Sequence, residues 1–131
     1  MPNPESPMTD AIVQFILETD YDSTPDEVKA ISRRCFVDGT SLMVAGSTEE
    51  SGKIIQEYLR EIGGEHEATV FGTDLMVSAH QAALANGTAG HSMDYDDTQL
   101  SGYPDRVYGL LTHPTVPVLA AAAAMAEALG S

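Results

Sequence analysis

Apolar side chains recur at three- and four-residue spacing through most of the chain, the pattern of helices that bury one face. Ala11, Ile12, Phe15 and Ile16 begin the first such run, with Thr9 or Asp10 as its cap. The residues before it hold Pro2, Pro4 and Pro7 and predict a disordered tail over 1–8. After a polar break, Thr24-Pro25-Asp26-Glu27 places a hydroxyl at an N-cap, proline at the first helical position and glutamate three residues on. Val28, Ile31, Cys35, Leu42 and Ala45 carry that helix to a stop at Gly46. Gly39 within it costs about 1 kcal/mol against alanine, which predicts the close approach of a neighbouring helix there. Ser47-Thr48-Glu49-Glu50 repeats the capping pattern, and Ile54, Ile55, Tyr58, Leu59 and Ile62 form the stripe of a third helix ended by Gly63-Gly64.

Ala68 to Phe71 is β-prone and short, so it reads as an extended connector rather than part of a sheet. Ser78 caps a helix carrying Ala79, Ala82, Ala83 and Ala85, with a break or kink at Asn86-Gly87 and renewed helix to Asp97. Residues 99–114 contain Ser-Gly, Tyr-Pro and His-Pro and read as a long loop. Thr115 then caps an alanine-rich helix, Val116 to Leu129, closed by Gly130. The expected fold class is all-α, a multi-helix assembly over 9–131 with at most a short extended segment near 68–71.

Composition sharpens this picture. Of 131 residues, 16 are Ala and three are Phe, and there is no Trp. Small aliphatic faces pack closely but bury little area alone. The last helix is apolar on most sides, which predicts burial on most sides and cover from further sequence or a partner chain. The net charge of −14 excludes a phosphate-neutralising nucleic-acid binder and an anionic membrane surface. No apolar stretch reaches the roughly 18 residues of a membrane span, and the N-terminus has no secretory pattern. One cysteine, Cys35, leaves no internal disulfide, so a cytoplasmic location is expected.

The candidate chemistry lies in His91-Ser92-Met93-Asp94-Tyr95-Asp96-Asp97-Thr98. If the helix continues through it, at about 100° per residue, His91, Asp94, Asp97 and Thr98 share one face and Asp96 falls on the opposite, solvated side. Three carboxylates at a helix C-terminus oppose the dipole, and crowding of this kind suits general acid or base work. An acidic solvated helix end with an ordinary buried His91 explains the same pattern. A metal site from Asp94, Asp97 and His91 is a third reading, without a recognised ligand spacing. The second feature is Thr112-His113-Pro114-Thr115, where His113 precedes a fresh helix N-terminus able to receive a carboxylate. A His-Pro turn that merely positions the helix explains that feature equally well. Cys35 reads as core, His66 and His80 as surface, and Arg33-Arg34 as salt-bridged surface.

The string from Ala85-Asn86-Gly87 to Asp96-Asp97-Thr98 resembles the signature of the MmgE/PrpD family, which takes in 2-methylcitrate dehydratases, cis-aconitate decarboxylases and related epimerases. His113-Pro114-Thr115 with Pro117-Val118-Leu119 resembles its next block, and Thr24-Pro25 through Gly46 its N-terminal helix. The resemblance runs from about residue 10 to the end. It implies part of a large helical domain paired with an α/β lid domain in a longer chain, acting on di- and tricarboxylates without metal or organic cofactor, usually as a homodimer.

By position, Asp94, Thr98 and His113 match the family's catalytic residues, with His91, Asp97 and Thr115 expected to bind substrate. Further site residues of the family, a histidine, lysines and a tyrosine, would fall beyond Ser131. The expected function is therefore the N-terminal part or subunit of a dehydratase- or decarboxylase-type lyase, inactive alone. The alternatives are an isomerase or epimerase of the same family and a non-catalytic helical partner module.

Overall fold

The computed structural model describes residues 7–99 and 112–131. Among these, five helices run in the order α1 (Pro7–Glu18), α2 (Asp26–Gly46), α3 (Glu50–Ile62), α4 (Ala79–His91) and α5 (Thr115–Leu129), with strands β1 (Ala68–Thr69) and β2 (Met76–Val77) between α3 and α4. The all-α expectation holds. No helix among the described residues is long and apolar enough to cross a membrane. The chain divides into two units, Met1–Arg33 and Arg34–Ser131.

In the first unit α1 spans Pro7–Glu18, so helix is already present ahead of the expected cap at Thr9 or Asp10. Pro7 and Met8 of the predicted tail are thus helical, and residues 1–6 of it lie outside the described residues. No residue of α1 is buried. The turn after it is held by Asp20, whose Oδ1 accepts the Ser23 N–H at 2.7 Å. That bond holds the Asp20 carboxyl below its ordinary 3.8. The Thr24 hydroxyl donates to the Asp20 carbonyl at 2.8 Å, so it serves this turn instead of the predicted capping box.

The second unit carries the core. The buried stripe of α2 is Gly39, Met43 and Gly46, not the predicted Cys35, Leu42 and Ala45. The expected close approach at Gly39 is present: a Cβ there would lie 2.8 Å from Leu119 Cδ2. Ser47 and Thr48 donate their hydroxyls back to Val44 and Ala45, closing α2 instead of capping α3. On α3 only Gly52, Gln56 and Leu59 are buried, while Ile54, Tyr58 and Ile62 are exposed.

The extended piece at 68–71 does belong to a sheet. β1 pairs antiparallel with β2, Ala68 opposite Val77 and Thr69 opposite Met76. Leu59, Ala68, Val70, Val77 and four alanines of α4 and α5 form one cluster, and Met43, Val116 and Ala120 a second. Complete burial of side chains such as Met43 and Leu59 contributes about 1.5–3 kcal/mol each.

The predicted kink at Asn86-Gly87 is absent, and α4 runs through both. Asn86 is buried and its amide is satisfied by the hairpin: Oδ1 accepts the Phe71 N–H and Nδ2 donates to the Thr69 carbonyl, both at 2.9 Å. Small residues let α4 and α5 lie close, with Gly87 facing Ala120. Val116, Ala120 and Ala124 are the buried residues of α5, whereas Val118, Met125 and Leu129 are exposed, so the helix is covered along one stripe and not on most sides. The Thr69 N–H donates to Glu127 near the far end of α5.

Candidate functional site

Helix α4 ends at His91, not at Asp97. The apolar periodicity stops there, and Asp94 takes a left-handed backbone with φ 57°, a conformation that aspartate tolerates better than most residues. The face drawn for a continuous helix therefore does not exist. Asp96, predicted to be solvated on the far side, is turned inward: its side chain is only 1% exposed.

Two histidines meet that carboxylate. His91 Nδ1 lies 3.0 Å from Asp96 Oδ1 and 3.1 Å from Oδ2. His113 Nδ1 lies 3.3 Å from Asp96 Oδ2, a buried nitrogen close to the oxygen but off the hydrogen-bond direction. The two rings are edge to face, 4.6 Å between centroids. On its other side His113 presents Nε2, 3.6 Å from Oδ1 of Asp94, whose side chain is 78% exposed. The backbone supports the arrangement: the Gln99 N–H donates to the Thr112 carbonyl at 2.8 Å, joining the two segments on either side of 100–111. The loop predicted over 99–114 otherwise lies mostly outside the described residues.

Asp97 faces elsewhere. Its carboxylate accepts the Thr115 N–H at 3.1 Å and the Thr115 hydroxyl at 2.7 Å. The N-terminus of α5, read as a place for a substrate carboxylate, is thus already served by a carboxylate of the chain itself. The Thr98 hydroxyl donates to the Asp96 carbonyl at 3.4 Å. Of the six predicted site residues, the structure joins Asp94, His113 and His91 in one cluster, pairs Asp97 with Thr115, and turns Thr98 toward its own turn.

A helical wheel hides Asp96 because the helix it assumes ends at His91. The available signal was the loss of apolar spacing after Met93 together with acids that a helix C-terminus disfavours. His66 and His80 are exposed, as expected, and Cys35 is half-buried.

His91, Asp96 and His113 stand at the polar end of an open cavity of about 960 Å³ between α4 and α5, with Leu84, Pro117 and Ala121 among its apolar walls. His91, Asp94, Asp96 and His113 each offer one ligand atom, all within 4.8 Å of one another. Two imidazoles and two carboxylates suit a first-row divalent ion by donor type. This set differs from the one weighed on sequence, with Asp96 and His113 in place of Asp97. The contacts already described engage the same atoms with each other. Among the described residues, no Lys or Arg enters the ion pairs of the cluster: Lys29 pairs with Asp26, and Arg60 with Asp74.

Comparison with known proteins agrees with the motif. The chain is 34% identical to cis-aconitate decarboxylase of Homo sapiens over 105 residues, covering 79% of this chain and 20% of that protein. It is 31% identical to the Mus musculus protein of the same name over 99 residues, covering 75% of this chain and 18% of that protein. The chain spans about a fifth of the length of these curated relatives. No solved structure matches it significantly. Residues 10–131 match the MmgE/PrpD N-terminal domain, and the chain belongs to the MmgE/PrpD family.

Proposed function

We propose that this chain supplies the acid–base half of a lyase site that removes water or CO₂ from a di- or tricarboxylate. The observation that carries the reading is the pairing of Asp94 Oδ1 with His113 Nε2 at 3.6 Å, beside the cavity that His113 lines. An imidazole and a carboxylate at this distance can pass a proton to or from a carbon next to a substrate carboxylate. Thr98 orients the substrate once its hydroxyl leaves the Asp96 carbonyl. Asp97 and Thr115 act on the substrate through the placement of His113, and His91 through Asp96.

The electrostatics add a condition. A polycarboxylate is repelled by the clustered Asp94 and Asp96 unless cations offset the field, and among the described residues no Lys or Arg pairs with them. The cations therefore come from groups outside the described residues, and the chain alone turns over little or nothing. An α-proton taken and returned to the other face would give epimerisation from the same groups. The exposed apolar residues of α3 and α5 favour a second reading, a non-catalytic packing module.

The test is to assay the chain alone and with the lysine-bearing remainder of a family member supplied in trans. The readouts are CO₂ release from cis-aconitate, water loss from 2-methylcitrate, and α-proton exchange. Activity is expected only in the mixture, and Asp94→Asn and His113→Ala should each lower it by about 100-fold or more. Turnover within about twofold in either variant, against the 10²–10⁴-fold typical of a general acid or base, would refute the site.

A further inference from the structure

We infer that Asp96 is a positioning residue that sets the tautomer of both histidines, so that His113 presents Nε2 as its basic nitrogen. The inference rests on the proposed function only for the use made of that nitrogen; its geometry stands independently. Both imidazoles turn the same atom, Nδ1, toward the same carboxylate, at 3.0 Å for His91 and 3.3 Å for His113. An ionised carboxylate accepts hydrogen bonds and donates none. A lone pair on either Nδ1 would therefore face oxygen lone pairs of a buried carboxylate, whereas a proton there turns repulsion into attraction. The Asp96 side chain is almost wholly buried, and burying that charge is costly unless partners compensate it. A proton on His91 Nδ1 hydrogen-bonds the carboxylate, and one on His113 Nδ1, off the hydrogen-bond direction at 3.3 Å, offsets its charge electrostatically. The buried charge is thus offset from both sides only when both protons sit on Nδ1, His91's in a hydrogen bond and His113's through proximity.

The consequence for His113 is directional. With Nδ1 protonated toward Asp96, the lone pair of the neutral ring is at Nε2, on the side of Asp94. A proton taken up at Nε2 makes an imidazolium between two carboxylates, Asp96 behind it and Asp94 in front, and its later release restores the neutral ring. The buried carboxylate holds the ring and balances its charge without touching substrate. His91 shares the carboxylate and, through the edge-to-face contact, limits rotation of the His113 ring.

The experiment is ring-nitrogen NMR on the whole chain labelled with ¹⁵N-histidine, at a pH where the imidazoles are neutral and with EDTA present. His91 and His113 are expected to show a proton-bearing Nδ1 and a bare Nε2, the reverse of free histidine in water. Asp96→Asn offers one oxygen in place of two, so at least one ring is expected to change tautomer, while His66 and His80 do not. Asp96→Glu is expected to restore the pattern in part. The Thr115 amide, held by Asp97, reports whether the start of α5 survives each substitution.

Nε2–H rings in the unsubstituted chain overturn the inference without any variant. So does one bare Nδ1, and so does an Asp96→Asn spectrum in which both rings are unchanged. Where turnover is measured, Asp96→Asn should lower kcat by about tenfold or more and leave KM nearly unchanged. Nδ1–H rings in a chain whose mixture with the lysine-bearing remainder turns over no polycarboxylate would sink the lyase reading and leave this inference standing. Turnover with Nε2–H rings would do the opposite.

Discussion

Replacing Asn86 by alanine removes two hydrogen bonds at once. The Phe71 N–H loses its acceptor and the Thr69 carbonyl its donor, each from a bond of 2.9 Å. Asn86 is 1% exposed, so water does not readily replace the amide. A buried polar group left unpaired costs roughly 1–3 kcal/mol. Two of them, partly relieved because the hairpin strand is only half-buried, give about 2–4 kcal/mol. For a unit of this size that is a fall in Tm of roughly 10–25 °C. Urea unfolding of the whole chain, followed by far-UV circular dichroism, measures the loss, with m expected to stay constant.

Asn86→Asp separates the two bonds. Its carboxylate still accepts from Phe71 but sets a second oxygen against the Thr69 carbonyl, and it buries a charge, which raises the folded-state pKa of the new group above its unfolded value. Its deficit is therefore full above the folded pKa and shrinks as the pH falls below it, because the protonated acid can donate to Thr69. The Asn86→Ala deficit lacks this pH dependence. A loss below about 0.5 kcal/mol, the scale of an ordinary surface substitution, would refute the reasoning, as would parallel pH profiles for the two variants.

Three further outcomes are expected. Asp97→Ala uncaps α5 and should cost about 1 kcal/mol, with Asp97→Asn costing less; both are read from urea midpoints, and an unchanged midpoint for the alanine variant contradicts the cap. Gly90→Ala places a Cβ 2.7 Å from Val116 Cγ1 and 3.1 Å from Met43 Cγ, so overpacking should destabilise by about 1–3 kcal/mol, and a raised Tm would show that the helices can part freely. Asp20 has a folded pKa below its ordinary 3.8 because of the Ser23 N–H, so its contribution is complete above 3.8 and is lost as the pH falls through the lower folded value. The Ser23 amide shift should titrate at that lower pH, and a midpoint at or above 3.8 contradicts the bond.

Helix existence was legible in the sequence wherever apolar spacing and stop residues agreed, as from Thr24 to Gly46 and from Thr115 to Gly130. Burial was less legible, because it depends on which neighbour arrives. Met43 is the centre of its helix face because Val116 and Gly90 meet it there, and the glycines that permit this approach carry no hydropathy signal. Asn86-Gly87 looked like a break because asparagine and glycine favour turns in isolation; the hairpin partner that overrides this preference lies about 15 residues upstream. In the site, residue types pointed to Asp94 and His113 but not to Asp96, whose inward turn depends on a backbone reversal at Asp94 that periodicity does not encode.

That reversal restricts how position 94 can be interrogated. Glycine, asparagine and aspartate accept positive φ at low cost, while branched or bulky side chains resist it. In a saturation library most replacements would disturb the chain path and the carboxylate together, and so confuse scaffold with reactivity. Only the amide isostere keeps shape while deleting charge, and comparing it with glycine would separate what the locus contributes as a bend from what it contributes as an acid.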